Sequence, residues 1–362
     1  MLAIFEAGLQ QRWVVPRSVL VEAHLSDLDN LRAALEWATV SSAALHIALA
    51  GASAWVWAWS EQRVEALRIC ERAKERIDET TPPALEARLL SEWCVLPSSP
   101  PVPAERAAAE RAVALFRNLG DRRSTYIALE RLQINAQRCG DVALCERVSL
   151  EMTQLHDASW PPASRWHLLM ARAVYLSMSN QTEAARVAFE ESLQLARAVR
   201  EFKHASVSLR GLIDIASETG HFEEAVTLCR ELVAMTRADR FTPVLAIALC
   251  DLSDALAKID QIDEALATAR EAAPLHAQQG TPLWVWLVSF AQIAFKQGRV
   301  SDAALALGRA EAKYGSVSNN RRDRDDLRVL LTQSLSSTEL QRLLAEGAAL
   351  TDEEAAHIAL AS

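Results

Sequence analysis

The sequence predicts an all-α chain, an α-solenoid of stacked antiparallel helix pairs with a period of about 40 residues, and three observations predict it. A short pattern at a helix-to-helix turn recurs along the chain: the runs opening at Asn180, Gly220, Asp260 and Gly298 read NQTEAA, GHFEEA, DQIDEA and GRVSDA, spaced by 40, 40 and 38 residues. A leucine stands eleven residues before each of these markers and in step with them further upstream, as Leu49, Leu89, Leu129, Leu169, Leu209, Leu249 and Leu287. Composition agrees: 50% of the 362 residues are hydrophobic, while Gly (11) and Tyr (3) are scarce and alternating β-branched runs are few, which favours helix over strand.

Each helix pair can be read from this frame. Seven positions beyond the ladder leucine stand Val56, Leu96, Ala136, Leu176, Ala216, Leu256 and Ala294, on the same helical face, so the two positions define the buried stripe of the first helix. Positions three and four carry mostly apolar or small residues, with Glu92, Gln133 and Arg172 as departures. In the second helix a small residue follows the marker by five places: Cys145, Ala185, Ala225, Ala265 and Ala303. Such residues let two helices approach closely.

The same period run backwards puts turns at Gly140, Pro100 and Ser60. The two earliest pairs have Glu65 and Glu105 where the small residue should stand, so they are degenerate or their second helix is shifted. The proline-rich run 97–103 truncates the first helix of the second pair, because proline cannot continue the backbone ladder.

A stack of this kind must be covered at its ends. The expected organisation is an N-terminal helical cap or linker at 1–40, with a helix from about Leu28 to Thr39, about seven repeat pairs at 41–315, and a C-terminal helical cap at 316–362. Thr351 followed by Glu354 reads as a capping box that opens a last short helix through Leu360.

Charge and composition exclude several functions. A net charge of −9 opposes binding to phosphate backbones or anionic lipid, so no direct nucleic-acid partner is expected. The stretch 37–60 has no Asp, Glu, Lys or Arg and is long enough to span a bilayer. Its Ser, Thr, His and Ala content, and its fit to the repeat phase, place it in the repeat array. The six cysteines form no C-x-x-C pair and read as small core residues of a reducing, cytoplasmic protein. Residues 1–11 lack the basic start and cleavage site of a secretory leader.

No H-E-x-x-H, G-x-S-x-G or metal-spaced Cys/His cluster occurs, and the eight histidines are scattered. The expectation is a binding protein, with no enzymatic activity, catalytic residue, metal or cofactor. The ten tryptophans include Trp55, Trp57 and Trp59, alternating on one helix, and Trp284 with Trp286. Residues two apart face different ways, so these read as inter-repeat packing, or else as exposed anchors at a binding surface. Trp93 reads as core.

The turn glycine followed by an acidic residue and alanine, with small residues facing across the pair, resembles the tetratricopeptide repeat. That repeat has a period of about 34, so helices or turns are longer here. A second resemblance lies in the run DLDNLRAALEWA at 27–38, which is similar to the opening of the helical-repeat sensor region of large bacterial transcriptional regulators. Many of those regulators close with an acidic-hydrophobic tail like 346–360. In that family a DNA-binding domain and a P-loop ATPase precede the repeats; no G-x-x-x-x-G-K-[ST] occurs in this sequence. The resemblance implies an effector- or protein-binding module for signal transduction and transcriptional regulation, taking a protein or peptide segment or a small-molecule effector.

Tetratricopeptide-like stacking implies a groove lined by positions one, five and eight beyond the ladder leucine. The candidate groove residues are Glu130, Ile134, Met170, Arg210, Asp214, Asp254, Gln292 and Phe295, with His167, two residues before its ladder leucine, on the same side. The alternative is a stand-alone structural interaction protein that forms a homo-oligomer through its Trp-rich ends.

Overall fold

The computed structural model describes residues 1–60, 62–96, 103–238, 242–279, 283–314 and 321–361. Among these residues every regular element is helical. The chain opens with α1 (Leu2–Gln11), α2 (Arg17–Leu25) and α3 (Leu28–Ser41), followed by α4 (Ala43–Trp59), α5 (Arg63–Lys74), α6 (Pro83–Trp93) and α7 (Pro103–Asn118). Next come α8 (Arg122–Arg138), α9 (Val142–Leu155), α10 (Pro162–Met178), α11 (Thr182–Ala198) and α12 (Phe202–Glu218). The remainder comprises α13 (Phe222–Ala238), α14 (Thr242–Lys258), α15 (Ile262–Gln279), α16 (Leu287–Lys296), α17 (Val300–Tyr314), α18 (Arg321–Ser334), α19 (Ser337–Ala348) and α20 (Asp352–Ala359). The chain divides into two compact units, Met1–Ser208 and Leu209–Ser362.

Local signals start and stop these helices. Asp121 and Asp141 accept the backbone N–H groups of Ser124 and Leu144 at 2.9 and 3.0 Å, and so cap α8 and α9. Such caps each stabilise a helix by about 0.5–2 kcal/mol. Pro83 and Pro162 open α6 and α10 at positions that need no N–H donor. Thr351 and Glu354 form the expected reciprocal box, and α20 ends with Leu360 as its C-cap.

The turn markers share one backbone conformation. Gly140, Gly220 and Gly298 have φ between 69° and 80°, and Asn180 and Asp260 adopt 58° and 59°. The residue after each marker donates to the carbonyl five places before itself, as in Asp141 to Ala136 at 2.9 Å and Gln181 to Leu176 at 2.9 Å. This closure satisfies carbonyls that a helix end leaves unpaired. Gly120 and Arg200 adopt it too, at φ 69° and 55°, so the same turn joins neighbouring pairs as well as the helices within a pair.

The ladder lies inside. All seven leucines, and all seven residues one stripe further on, are buried. So are Cys145, Ala185, Ala225, Ala265 and Ala303. Burial of each leucine contributes about 1.5–3 kcal/mol relative to exposure.

The two irregular pairs resolve differently. After α4 the closing bond runs from Gln62 to Trp57, one place later than in the other repeats, and Ala66 takes the buried slot. The second helix is therefore shifted by one residue. In α7, Glu105 does occupy the slot, fully buried and paired with Arg138 at 2.8 Å. The turn expected at Pro100 and the run 97–102 lie outside the described residues, while Pro103 begins α7.

In the first unit α4 is packed by α1, α2, α3, α5 and α6. Every residue from His46 to Trp57 is buried, which explains a charge-free stretch without a membrane. Among the described residues no helix is long and apolar enough to cross one. Trp55 and Trp57 face different sides of α4, yet both are buried because α4 is covered all round. An anchor surface that uses these two is thereby corrected. Trp93 is core, with the Lys74 ammonium 3.3 Å from its ring centroid. Cys139 is exposed, contrary to the core reading, because it falls at the C-cap of α8.

In the second unit α14 packs on α13 and α15, α16 on α17, and α17 also on α19 and α20. The α17–α19 crossing is close. A Cβ on Gly308 would collide with the backbone of Leu344, and one on Gly347 with that of Leu305.

Candidate binding cavity

A partly open cavity of about 180 Å³ lies in the first unit. Its floor is the face of the first helices one step from the ladder leucines: Glu130 and Ile134 from α8, and His167, Met170 and Val174 from α10, with Lys203 and His204 from the start of α12. Its roof comes from elsewhere in the chain. Arg12 and Trp13, between α1 and α2, and Arg17, which opens α2, close it together with Trp59 at the end of α4.

Aromatic contacts hold the roof to the floor. The Trp13 ring sits 5.8 Å from Tyr126, 5.6 Å from Trp160 and 6.2 Å from His167 between centroids. Tyr126 in turn donates its hydroxyl to the Ser164 carbonyl at 2.8 Å, tying α8 to α10. Arg123 lies 4.7 Å from Trp13 and donates to the Gln10 carbonyl at 3.1 Å. Edge-to-face aromatic pairs contribute about 0.5–1.5 kcal/mol each beyond their buried area.

Charges are arranged in linked pairs. Arg12 meets Glu92 at 2.9 Å, and Arg131 lies 3.6 Å from both Glu92 and Glu130. Glu130 also faces His167 at 3.2 Å. Burial opposes ionisation of Glu130, but His167 and Arg131 outweigh it and hold the carboxyl well below the usual range. Burial, then His167 and Lys203, push His204 well below the usual histidine value. It is therefore a neutral ring, stacked on Trp166.

Four of the nine residues expected on the groove face line this cavity: Glu130, Ile134, His167 and Met170. The other five belong to the second unit. Arg210 lies 3.7 Å from Asp251, Asp214 is exposed, and Asp254, Gln292 and Phe295 are half-buried. Sequence reasoning missed Asp251, whose carboxyl burial pushes up to about 7; Arg210 opposes that rise, and the like charges of Asp214 and Asp254 add to it. It also missed the roof, Trp166, Lys203 and His204. His204 had only the signal of lying about one period beyond Trp166, which places the two on adjacent first helices.

Solved structures share this architecture. A signal-transduction ATPase with numerous domains and a tetratricopeptide-repeat sensor, from Pyrococcus horikoshii, superposes with a TM-score of 0.52 at 13% identity. That match covers 90% of this chain and 48% of the other, so the chain spans about half that protein's length. A Rap protein complexed with Competence and Sporulation Factor gives 0.54 at 12% identity, covering 91% and 99%. The apo quorum sensor NprR from B. thuringiensis gives 0.51 at 13%, covering 86% and 82%. The chain is a tetratricopeptide-like α-solenoid. No protein-family model matches this solenoid, and neither does any curated protein sequence. At such identities the likeness concerns the fold.

Proposed function

We propose that this tetratricopeptide-like chain is a sensing module that binds an effector, either a small molecule or one side chain of a peptide segment, in the cavity of its first unit. The carrying observation is that one partly open cavity is built from the N-terminal segment and from α8, α10 and α12. An occupant touches both sides, so it favours whichever seating of the N-terminal segment suits it. That differential contact is what a sensor needs to transmit occupancy. Among the described lining residues there is no Ser, Thr or Cys beside a base, which favours binding over catalysis.

In this reading 41–315 is the repeat array, 316–362 its C-terminal cap, and 1–40 both an end and a lid. The groove residues of the second unit, among them Arg210, Asp214 and Asp254, form a separate surface for a protein partner. The module serves as the sensor or scaffold region of a cytoplasmic bacterial transcriptional regulator, without touching DNA itself. Support comes from the shared fold with a Rap protein solved with its factor, a quorum sensor and a tetratricopeptide sensor on an ATPase.

The test is a thermal-shift and tryptophan-emission screen of metabolites and peptides against the wild type and Val174→Phe, which fills the cavity. A ligand at about 100 times its Kd stabilises the native state by about 2.7 kcal/mol. Binders that lose this effect in Val174→Phe support the proposal; binders indifferent to it, or none in a broad screen with the fold intact, overturn it.

A further inference from the structure

We infer that the occupant of this cavity is a small organic acid with a ring-sized apolar body, its anionic group seated on the Lys203 ammonium. The inference rests on the binding reading above and names the ligand class. Charge pairing carries the first half of it. Among the lining residues Arg12, Arg17, Arg131 and Lys203 face Glu130 and Glu201. Arg12 and Arg131 are held by Glu92 and Glu130. Arg17 donates to the Trp59 carbonyl at 3.2 Å and lies over that ring at 5.1 Å.

Glu201 does not neutralise the lysine. Its two carboxylate oxygens accept backbone N–H groups, one from Arg17 at 2.8 Å and one from Lys203 at 3.3 Å. The Lys203 ammonium has the face of Trp59 at 5.6 Å and, among the described residues, no carboxylate within ion-pair distance. A cation left in this position inside a cavity recruits an anion, since a charge-assisted bond there is roughly twice as strong as a neutral one.

Volume and walls supply the second half. A cavity of about 150 Å³ accommodates benzene, so 180 Å³ holds one ring and a few further atoms. A peptide of several residues would not fit wholly inside this volume. The walls suit a flat apolar body: Trp13, the Trp166–His204 stack, Ile134, Met170 and Val174.

Proton linkage agrees with this assignment. Burial, then Arg17 and Arg131, lower Lys203 to about 7, against Glu130 and Glu201, which raise it. Arg12, His167 and His204 are the other charged or titratable groups of the cavity wall. An anion stabilises the charged amine, so binding takes up a proton above that value and weakens as pH rises.

Calorimetric titration of the full chain with benzoate and phenylacetate, beside benzamide and phenylacetamide, tests the class; acetate and inorganic phosphate serve as charge-only probes. The ring acids should bind at least about tenfold tighter than their amides and than acetate or phosphate, and weaken about fivefold from pH 7 to 8. Lys203→Met should remove the acid preference and its pH dependence while leaving any amide affinity in place, and Lys203→Arg should restore the preference. Equal binding of acids and amides, charge-only binding, or full acid affinity in Lys203→Met overturns the inference. Should Lys203→Met fail to fold, the acid-to-amide ratio in the wild type decides. Amides that bind wild type but not Val174→Phe refute the acid while leaving the sensing module standing; no binding by any probe removes the inference, and the broad screen then judges the module separately.

Discussion

Trp166 and His204 stack with ring centroids 3.7 Å apart and planes 5° from parallel. The indole Nε1 donates to the Ser208 hydroxyl at 3.0 Å, and that hydroxyl sits 2.7 Å from the Ser192 hydroxyl. One wall of the cavity is thus a flat, rigid surface joined to α11 and α12. His204 contributes there as a ring, since its Nδ1 is buried without a hydrogen-bond partner.

The stack predicts that His204→Phe keeps or raises stability, because it retains the ring and removes an unsatisfied polar atom. His204→Ala should lower stability by about 2–4 kcal/mol. The folded-state value of His204 is depressed, so below about pH 6.5 the unfolded chain gains a proton that the native state refuses. Stability contributed by this residue is therefore lost as pH falls. Urea melts at about pH 7 and pH 5 should show a smaller loss for His204→Phe than for wild type.

In the second unit Asp251 is the group to test. Its folded value of about 7 lies above the unfolded carboxyl value, so the native state holds a proton that the unfolded chain has released. Stability should fall as pH rises from about 4 to 7. Asp251→Asn keeps the shape without the charge, and at neutral pH it should stabilise this unit by roughly 1–3 kcal/mol. Denaturant melts across that pH range would show the wild-type slope flattened in the variant; an unchanged slope would refute the assignment.

The crossing of α17 and α19 makes another prediction. Ala at Gly347 or Gly308 places a methyl group against backbone, which cannot swing aside as a side chain would. Each substitution should cost about 1–3 kcal/mol despite the better helix propensity of alanine. Hydrogen exchange should locate the loss at α17, α19 and α20.

The repeat register is tested by Leu209→Ala. Leu209 is fully buried, and truncation should cost about 2–5 kcal/mol. A loss near zero in equilibrium melts would place the ladder on the wrong face.

Much of this was written in the chain. The seven leucines, their partners one stripe on and the small residues of the second helix all lie inside, because helix periodicity alone determines which side of each helix is apolar. Glu65 was readable as an irregularity, but its resolution needed the Gln62 to Trp57 closure. The tryptophan triplet was harder: residues two apart share no face, and whether both faces are covered depends on how many helices surround α4.

The cavity shows where local pattern stops. Glu130, Ile134, His167 and Met170 follow from the register, since each occupies or adjoins a position set by its own helix. Trp13, Arg17 and Lys203 have no such rule. Their meeting depends on contacts such as Trp13 with Tyr126 and Arg17 with Glu201, made between segments far apart in sequence. The sequence by itself determined the helices, their turns and their buried stripes, because these arise from interactions within a few residues. Tertiary structure decided what the N-terminal segment covers and which charges share the cavity, because burial and charge pairing belong to neighbours in three dimensions.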